Sequence, residues 1–138
     1  MRILCLDVGD RRIGVALSDP THTLAQTLKV YTKVNLREDL EVFKKIVAEH
    51  EVGKIVVGLP KDLSGAIGKR AQSVTQFAKE LERHTGTPVA LWDERFSTNE
   101  AGRIFEMAEV SHKKRKPFID MMAAQIILQG YLDAQKTG

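Results

Sequence analysis

The run Arg2-Ile-Leu-Cys-Leu-Asp-Val8 constrains the fold more than any other stretch of this chain. It does not alternate. Apolar residues fall on both sides, as in a central strand covered on both faces, so helices must lie above and below the sheet that contains it. The run also carries one charge, Asp7, at its end. A carboxylate at the end of a core strand is costly unless something compensates it. The pattern recurs. Asp93 and Glu94 close a second strand, Val89-Ala-Leu-Trp-Asp-Glu94, and Asp120 opens the apolar helical stretch Phe118–Leu128. Three such sites suggest one compensating partner, and a divalent metal is the obvious candidate.

The rest of the chain reads as a mixed sheet with helices. Gly9-Asp10 makes a turn, and Ile13–Ser18 is the returning strand of a hairpin. Leu28–Tyr31 is a third strand. Asn35 caps a helix, with Glu38 at the capping-box position. Leu36, Leu40, Phe43 and Val47 form its apolar face, and Gly53 follows its end. Lys54–Gly58 is a buried strand, and residues 59–68 form a loop. Ala71, Val74, Ala78 and Leu81 line the next helix, which Gly86 ends. Val89–Trp92 is the fifth strand. Ser97 and Glu100 form a second capping box, opening a helix through Ile104, Phe105 and Ala108. Residues 110–117 form a basic connector, and Pro117 suits the first turn of the last helix. The order β-β-β-α-β-α-β-α-α predicts an α/β fold. Its five-stranded mixed sheet has the order 3-2-1-4-5 and is flanked by helices. Asp7 and Glu94 then open onto one crevice, where open α/β sheets bind ligands.

At 138 residues the chain is expected to form a single domain spanning 1–138. Its 43% hydrophobic and 28% charged residues are ordinary for a globular protein. No apolar run approaches the ~18 residues of a membrane span, and the N-terminus does not read as a signal peptide. The one cysteine, Cys5, has no internal disulfide partner and reads as a small buried hydrophobe. A soluble cytoplasmic protein is expected. The net charge of +3 leans weakly toward an anionic partner.

Clustered carboxylates without metal repel one another. With Mg²⁺ or Mn²⁺, a few acids suffice, because such ions keep several waters. Two ions about 4 Å apart serve phosphodiester hydrolysis by activating water and neutralising the leaving oxygen. The four histidines are scattered and none pairs with Cys5 at zinc-like spacing. Each acid also has an ordinary reading: Asp7 as a turn residue, Asp120 as a first-turn acid, and Asp93 or Glu94 as a partner of Arg95.

Four motifs in order, Asp7-Val-Gly-Asp-Arg-Arg-Ile-Gly-Val-Ala16, Val57-Gly-Leu-Pro60, Trp92-Asp-Glu-Arg-Phe-Ser-Thr98 and Ile119–Leu128, resemble the YqgF family, also called RuvX. The likeness covers nearly the whole chain. It implies an RNase H-like nuclease related to the RuvC Holliday-junction resolvases, acting in the bacterial cytoplasm on the 5′ end of pre-16S ribosomal RNA. By that likeness Asp7, Glu94 and Asp120 are the catalytic acids and the ligands of Mg²⁺ or Mn²⁺, with two ions expected. Asp93 stays open as a ligand, since adjacent strand residues face opposite ways. Asp10 stands where many relatives would carry a small hydroxyl residue.

Several basic residues are candidates for holding a nucleic-acid backbone. The densest run is Lys113, Lys114, Arg115 and Lys116, just before Asp120; Arg11, Arg12, Lys69, Arg70 and Arg95 are the others. Lys69 and Arg70 begin a helix, where the dipole disfavours cations unless an anion is near. Glycines 58, 65 and 68 could let backbone amides approach phosphate. Trp92, Phe96 and Phe118 are stacking candidates, with Trp92 reading first as core.

The partner expected is pre-16S rRNA or structured DNA, with no membrane, for a monomer or homodimer. Cleavage of a DNA junction is the nearest alternative and requires a dimer. A silent nucleic-acid-binding module gains nothing from clustered acids near phosphate. Asp-x-Gly before a Gly hairpin also resembles the phosphate loop of actin-like kinases, which need two such domains.

Overall fold

The computed structural model describes residues 1–60, 68–93 and 112–137, with backbone alone at 112–121 and 136–137. The strands β1 (Arg2–Val8), β2 (Arg12–Ser18), β3 (Ala25–Thr32), β4 (Val52–Leu59) and β5 (Val89–Asp93) form one sheet in the order β3-β2-β1-β4-β5. β1, β2 and β3 pair antiparallel, while β4 and β5 run parallel to β1. The order expected from the connections is the one observed, and the topology is that of RNase H-like folds.

Helices cover both faces. On one side α1 (Leu36–Glu49) and α2 (Lys69–Thr85) pack over Leu4, Leu6, Ile13, Val15, Ile55 and Val57. Phe43 binds this layer together, meeting Tyr31 and Phe77 edge-on at centroid distances of 5.5 and 6.3 Å. On the other side α3 (His112–Thr137) lays Ala124, Ile127, Leu128 and Leu132 over Ile3, Cys5, Ala16 and Val56. Small side chains on that side of the sheet let the helix approach closely. Each large apolar side chain so buried contributes roughly 1.5–3 kcal/mol. No described helix is long and apolar enough to cross a membrane.

The helix ends are set by the expected chemistry in two places. Asn35 accepts from the Glu38 amide at 2.9 Å, and Gly86 ends α2 in the left-handed region at φ 71°. Elsewhere the structure corrects the sequence reading. Gly53 lies inside β4; the left-handed residue after α1 is Glu51, at φ 54°. Leu36 is half exposed, and Ile46 takes the buried place on α1 that periodicity gave it. β3 is longer than expected because backbone pairing with β2, not side-chain burial, defines it. The stretch 112–117 is helical rather than a connector, so Pro117 sits inside α3 and not in its first turn. Lys and Arg are good helix formers, and they extend the helix upstream at the cost of the one hydrogen bond Pro117 cannot donate. The helix expected after Ser97 lies outside the described residues.

Candidate active site

The central strand positions Asp7. Its partner on β2 is Gly14. On β4, Leu6 pairs with Val57, so Gly58 is the position beside Asp7. Both strand neighbours of this half-buried carboxylate therefore lack side chains, which leaves room beside it. Asp7 already has a polar or electrostatic partner within the fold.

Strand alternation assigns the faces. Ile3 and Cys5 lie under α3, and Asp7 shares their parity. Trp92, paired with Gly58, also packs on that side, with its ring edge-on to Tyr131 at 5.5 Å. The core reading of Trp92 therefore holds. Asp93 pairs with Leu59, a position of the opposite parity to Asp7, and it too has a partner. Among the described residues no group of three or more His, Cys, Asp or Glu side chains could hold a metal. Glu94 and the side chain of Asp120 lie outside that description.

The basic candidates divide. Lys69 and Arg70 begin α2, whose N-cap Gly68 offers no side-chain hydrogen bond and whose first turn carries no acid. They meet the β1–β2 turn: the Arg70 Nη2 lies 3.8 Å from where a Cβ on Gly9 would stand. The turn is tight. The Gly9 amide donates to the Arg12 carbonyl at 2.8 Å, and a Cβ on Gly9 would come within 2.9 Å of that oxygen. Arg11 is exposed on the turn, and Arg12 is half buried with a partner of its own. Arg95, Gly65 and Phe96, and the side chains of Lys113, Lys114, Arg115, Lys116 and Phe118, lie outside the described residues.

Sequence reasoning missed Lys33. Its amide donates to the Arg11 carbonyl at 2.8 Å and its Nζ to the Gly9 carbonyl at 3.3 Å. The signal was present in the predicted strand order, which sets the end of β3 beside the start of β2. Lys33, Lys69 and Arg70 line a cleft of about 340 Å³ with Asp10 and Ser73. A larger cleft of about 660 Å³ adjoins it, walled by Val8, Val34, Leu36 and Phe77. At its base Asp39, buried, accepts from the Tyr31 hydroxyl at 2.7 Å and the Val34 amide at 2.9 Å. Burial of Tyr31 and its bond to Asp39 push the phenol up to about 12.

The RuvX family model, described as Holliday junction resolvase, matches residues 1–134. The chain is 48% identical over 137 residues to a protein of Thermoanaerobacter pseudethanolicus named "Putative pre-16S rRNA nuclease", covering 99% of both chains. It is 50% identical over 135 residues to one of Halothermothrix orenii with the same name, covering 98% of this chain and 96% of that one. Its fold is similar to T. thermophilus RuvC in complex with Holliday junction substrate, with a TM-score of 0.63, 12% identity and coverage of 99% and 96%. The fowlpox virus resolvase bound to Holliday junction DNA is also similar, with a TM-score of 0.59, 11% identity and coverage of 98% and 99%. The chain thus belongs to the RuvX family.

Proposed function

We propose that this chain is a metal-dependent nuclease that processes the 5′ end of pre-16S ribosomal RNA. The observation that carries the reading is Asp7: a half-buried carboxylate at the end of the central strand, with glycine on both sides. The names of the relatives supply the substrate class.

Asp7, Glu94 and Asp120 are the residues assigned to hold the ion, and their oxygens suit Mg²⁺ or Mn²⁺. Three observations support that set. Asp7 lies on the face that α3 covers. Asp93, paired with Leu59, has the parity opposite to Asp7, which favours its neighbour Glu94 as the ligand. Position 120 precedes Ala124 by four residues and Ile127 by seven, on the stripe of α3 that packs against that face. A bound divalent cation would supply Lewis-acid stabilisation of the charge that builds on the phosphoryl and leaving oxygens. The chain's own part is to hold the acids at one place on the sheet edge and to fix the RNA backbone. Lys69 and Arg70 serve the latter by sequence-independent phosphate contacts.

The second reading, cleavage of branched DNA, draws on the likeness in fold to RuvC. Cleavage of precursor rRNA and of a four-way DNA junction, each with Mg²⁺, separates the two. The rRNA precursor is the expected substrate. Asp7→Asn should reduce its cleavage at least about 100-fold, since even groups that merely support a metal ligand cost 10–100-fold. Its melting temperature should stay close to that of the parent. Retained cleavage in this variant would reject Asp7 as a ligand. Cleavage of the junction alone would favour the resolvase.

A further inference from the structure

We infer that the two clefts beside the β1–β2 turn together take one nucleotide of a single RNA strand, its phosphate in the basic cleft and its base in the apolar one. The inference rests on the nuclease reading for the identity of the strand, and on the clefts for the rest.

The clefts share Val8, Asp10, Lys33 and Ser73, so they are continuous. Their contents differ. The smaller presents three cations, Lys33, Lys69 and Arg70, against one acid, Asp10. Among the described residues neither Lys69 nor Arg70 has an acidic partner. Lys33 is fixed in place by the Gly9 carbonyl and still has two ammonium protons to offer. An anion is the complement of such a place. The larger cleft is apolar where it is open: Val34 is 65% exposed and Leu36 is 50% exposed, both against the buried edge of Phe77. Of the acids that line it besides the shared Asp10, Asp39 is engaged by Tyr31 and Val34, and Glu80 by Gln76 and Arg83. Both volumes lie within the about 300–1,000 Å³ of small-ligand sites. A group that is anionic at one end and flat and apolar at the other fits the pair, and a nucleotide is that group.

The placement agrees with the proposed chemistry. Val8, which lines both clefts, directly follows Asp7. Position 9 lies about 7 Å along the chain from position 7. Val8 belongs to the layer under α1 and α2 whereas Asp7 has the parity of the α3 face, so a strand with one phosphate at Asp7 reaches the basic cleft by rounding the sheet edge at the β1–β2 turn. The open apolar surface of Val34, Leu36 and Phe77 offers a base packing contact, and Arg11, Asn35 and Gln76 on the same walls add groups that can hydrogen-bond its edge. Asp10 opposes the phosphate, so this chain should bind the strand more weakly than it would with a neutral residue there.

Binding is measured on the full chain with a short single-stranded RNA and chelator present, so that no cleavage intervenes. A second set of RNAs carries a single abasic position moved along the strand. One abasic position should weaken binding about tenfold, the effect of losing one stacked base. Val34→Ser with Leu36→Ser should weaken the intact RNA by a similar factor and leave that abasic RNA unaffected. Lys33→Gln and Arg70→Gln should each lower the slope of log affinity against log salt by about 0.7. Asp10→Asn should tighten binding. Equal losses for intact and abasic RNA in the apolar variant, or an unchanged salt slope in the basic variants, would overturn the inference. Cleavage of precursor rRNA in Mg²⁺ is scored separately. A chain that cleaves nothing but shows this binding pattern keeps the pocket and loses the nuclease reading; one that cleaves without the pattern does the reverse.

Discussion

Asp39 is an acid that the fold itself needs, and replacing it has a calculable cost. Its Oδ1 accepts from the Tyr31 hydroxyl at 2.7 Å and from the Val34 amide at 2.9 Å, and the residue is 2% exposed. It also stands in the first turn of α1, where the helix dipole favours a negative charge. Hydrogen bonds to charged groups contribute about 1.5–3 kcal/mol each. Tyr31 is only partly buried, so water recovers some of its share, and the lower end of that range applies. Asp39→Ala should therefore cost about 3 kcal/mol. With an unfolding entropy of about 2.1 cal/mol/K per residue over 138 residues, that lowers Tm by about 10 °C. Tyr31→Phe removes one bond and leaves Asp39 the other, so about half that loss is expected. The double variant should cost less than the two singles added, since they share a bond. Thermal melts of the four proteins check this. A loss for Asp39→Ala no larger than for Tyr31→Phe, or strict additivity, would refute the assignment. The network also fixes residues 33–35, so the salt-dependent binding of Lys33 should weaken in Asp39→Ala.

Other outcomes follow from single contacts. Gly9→Ala would press a Cβ to within 2.9 Å of the Arg12 carbonyl. The turn must move, and a loss of about 1–3 kcal/mol is expected; RNA cleavage should fall further than the melting temperature alone explains. Tyr31 titrates upward, to about 12, so its contribution is complete below pH 10 and is lost as pH rises from 10 toward 12. Tyr31→Phe should therefore flatten the alkaline limb of Tm against pH. Glu41 goes the other way. The bond from His84, at 2.6 Å across α1 and α2, holds its carboxyl below the ordinary value of 4.5. Its contribution is present above pH 4.5 and lost as pH falls below it, and Glu41→Gln should remove that part of the acid limb.

The architecture was legible because it rests on patterns that local chemistry writes directly. The two-sided apolar run of β1 demanded helices on both faces, and they are there. Short links joined β1 to β3 and helices joined the later strands, which leaves few topologies open. What was missed lies where side-chain pattern carries no signal. β3 is an edge strand whose side chains mostly face solvent, so only its backbone pairing reveals its length. Gly53 read as the residue that follows α1, but it lies inside β4 and the left-handed residue between the two elements is Glu51. Pro117 read as a boundary, yet α3 runs through it. At the site, strand parity separates Asp93 from Asp7, a distinction the bare sequence left open. Lys33 escaped notice because it is an ordinary lysine until the sheet order sets it beside Gly9.

The most direct measurement is anomalous diffraction from crystals soaked in Mn²⁺, collected for the parent chain and for Asp7→Asn. Manganese should appear against the Asp7 carboxylate, with Glu94 and Asp120 as its other protein ligands, and be lost or much weakened in the variant. A parent crystal in which the Asp7 oxygens are taken up by protein groups alone, with manganese elsewhere or the three acids far apart, would contradict the account.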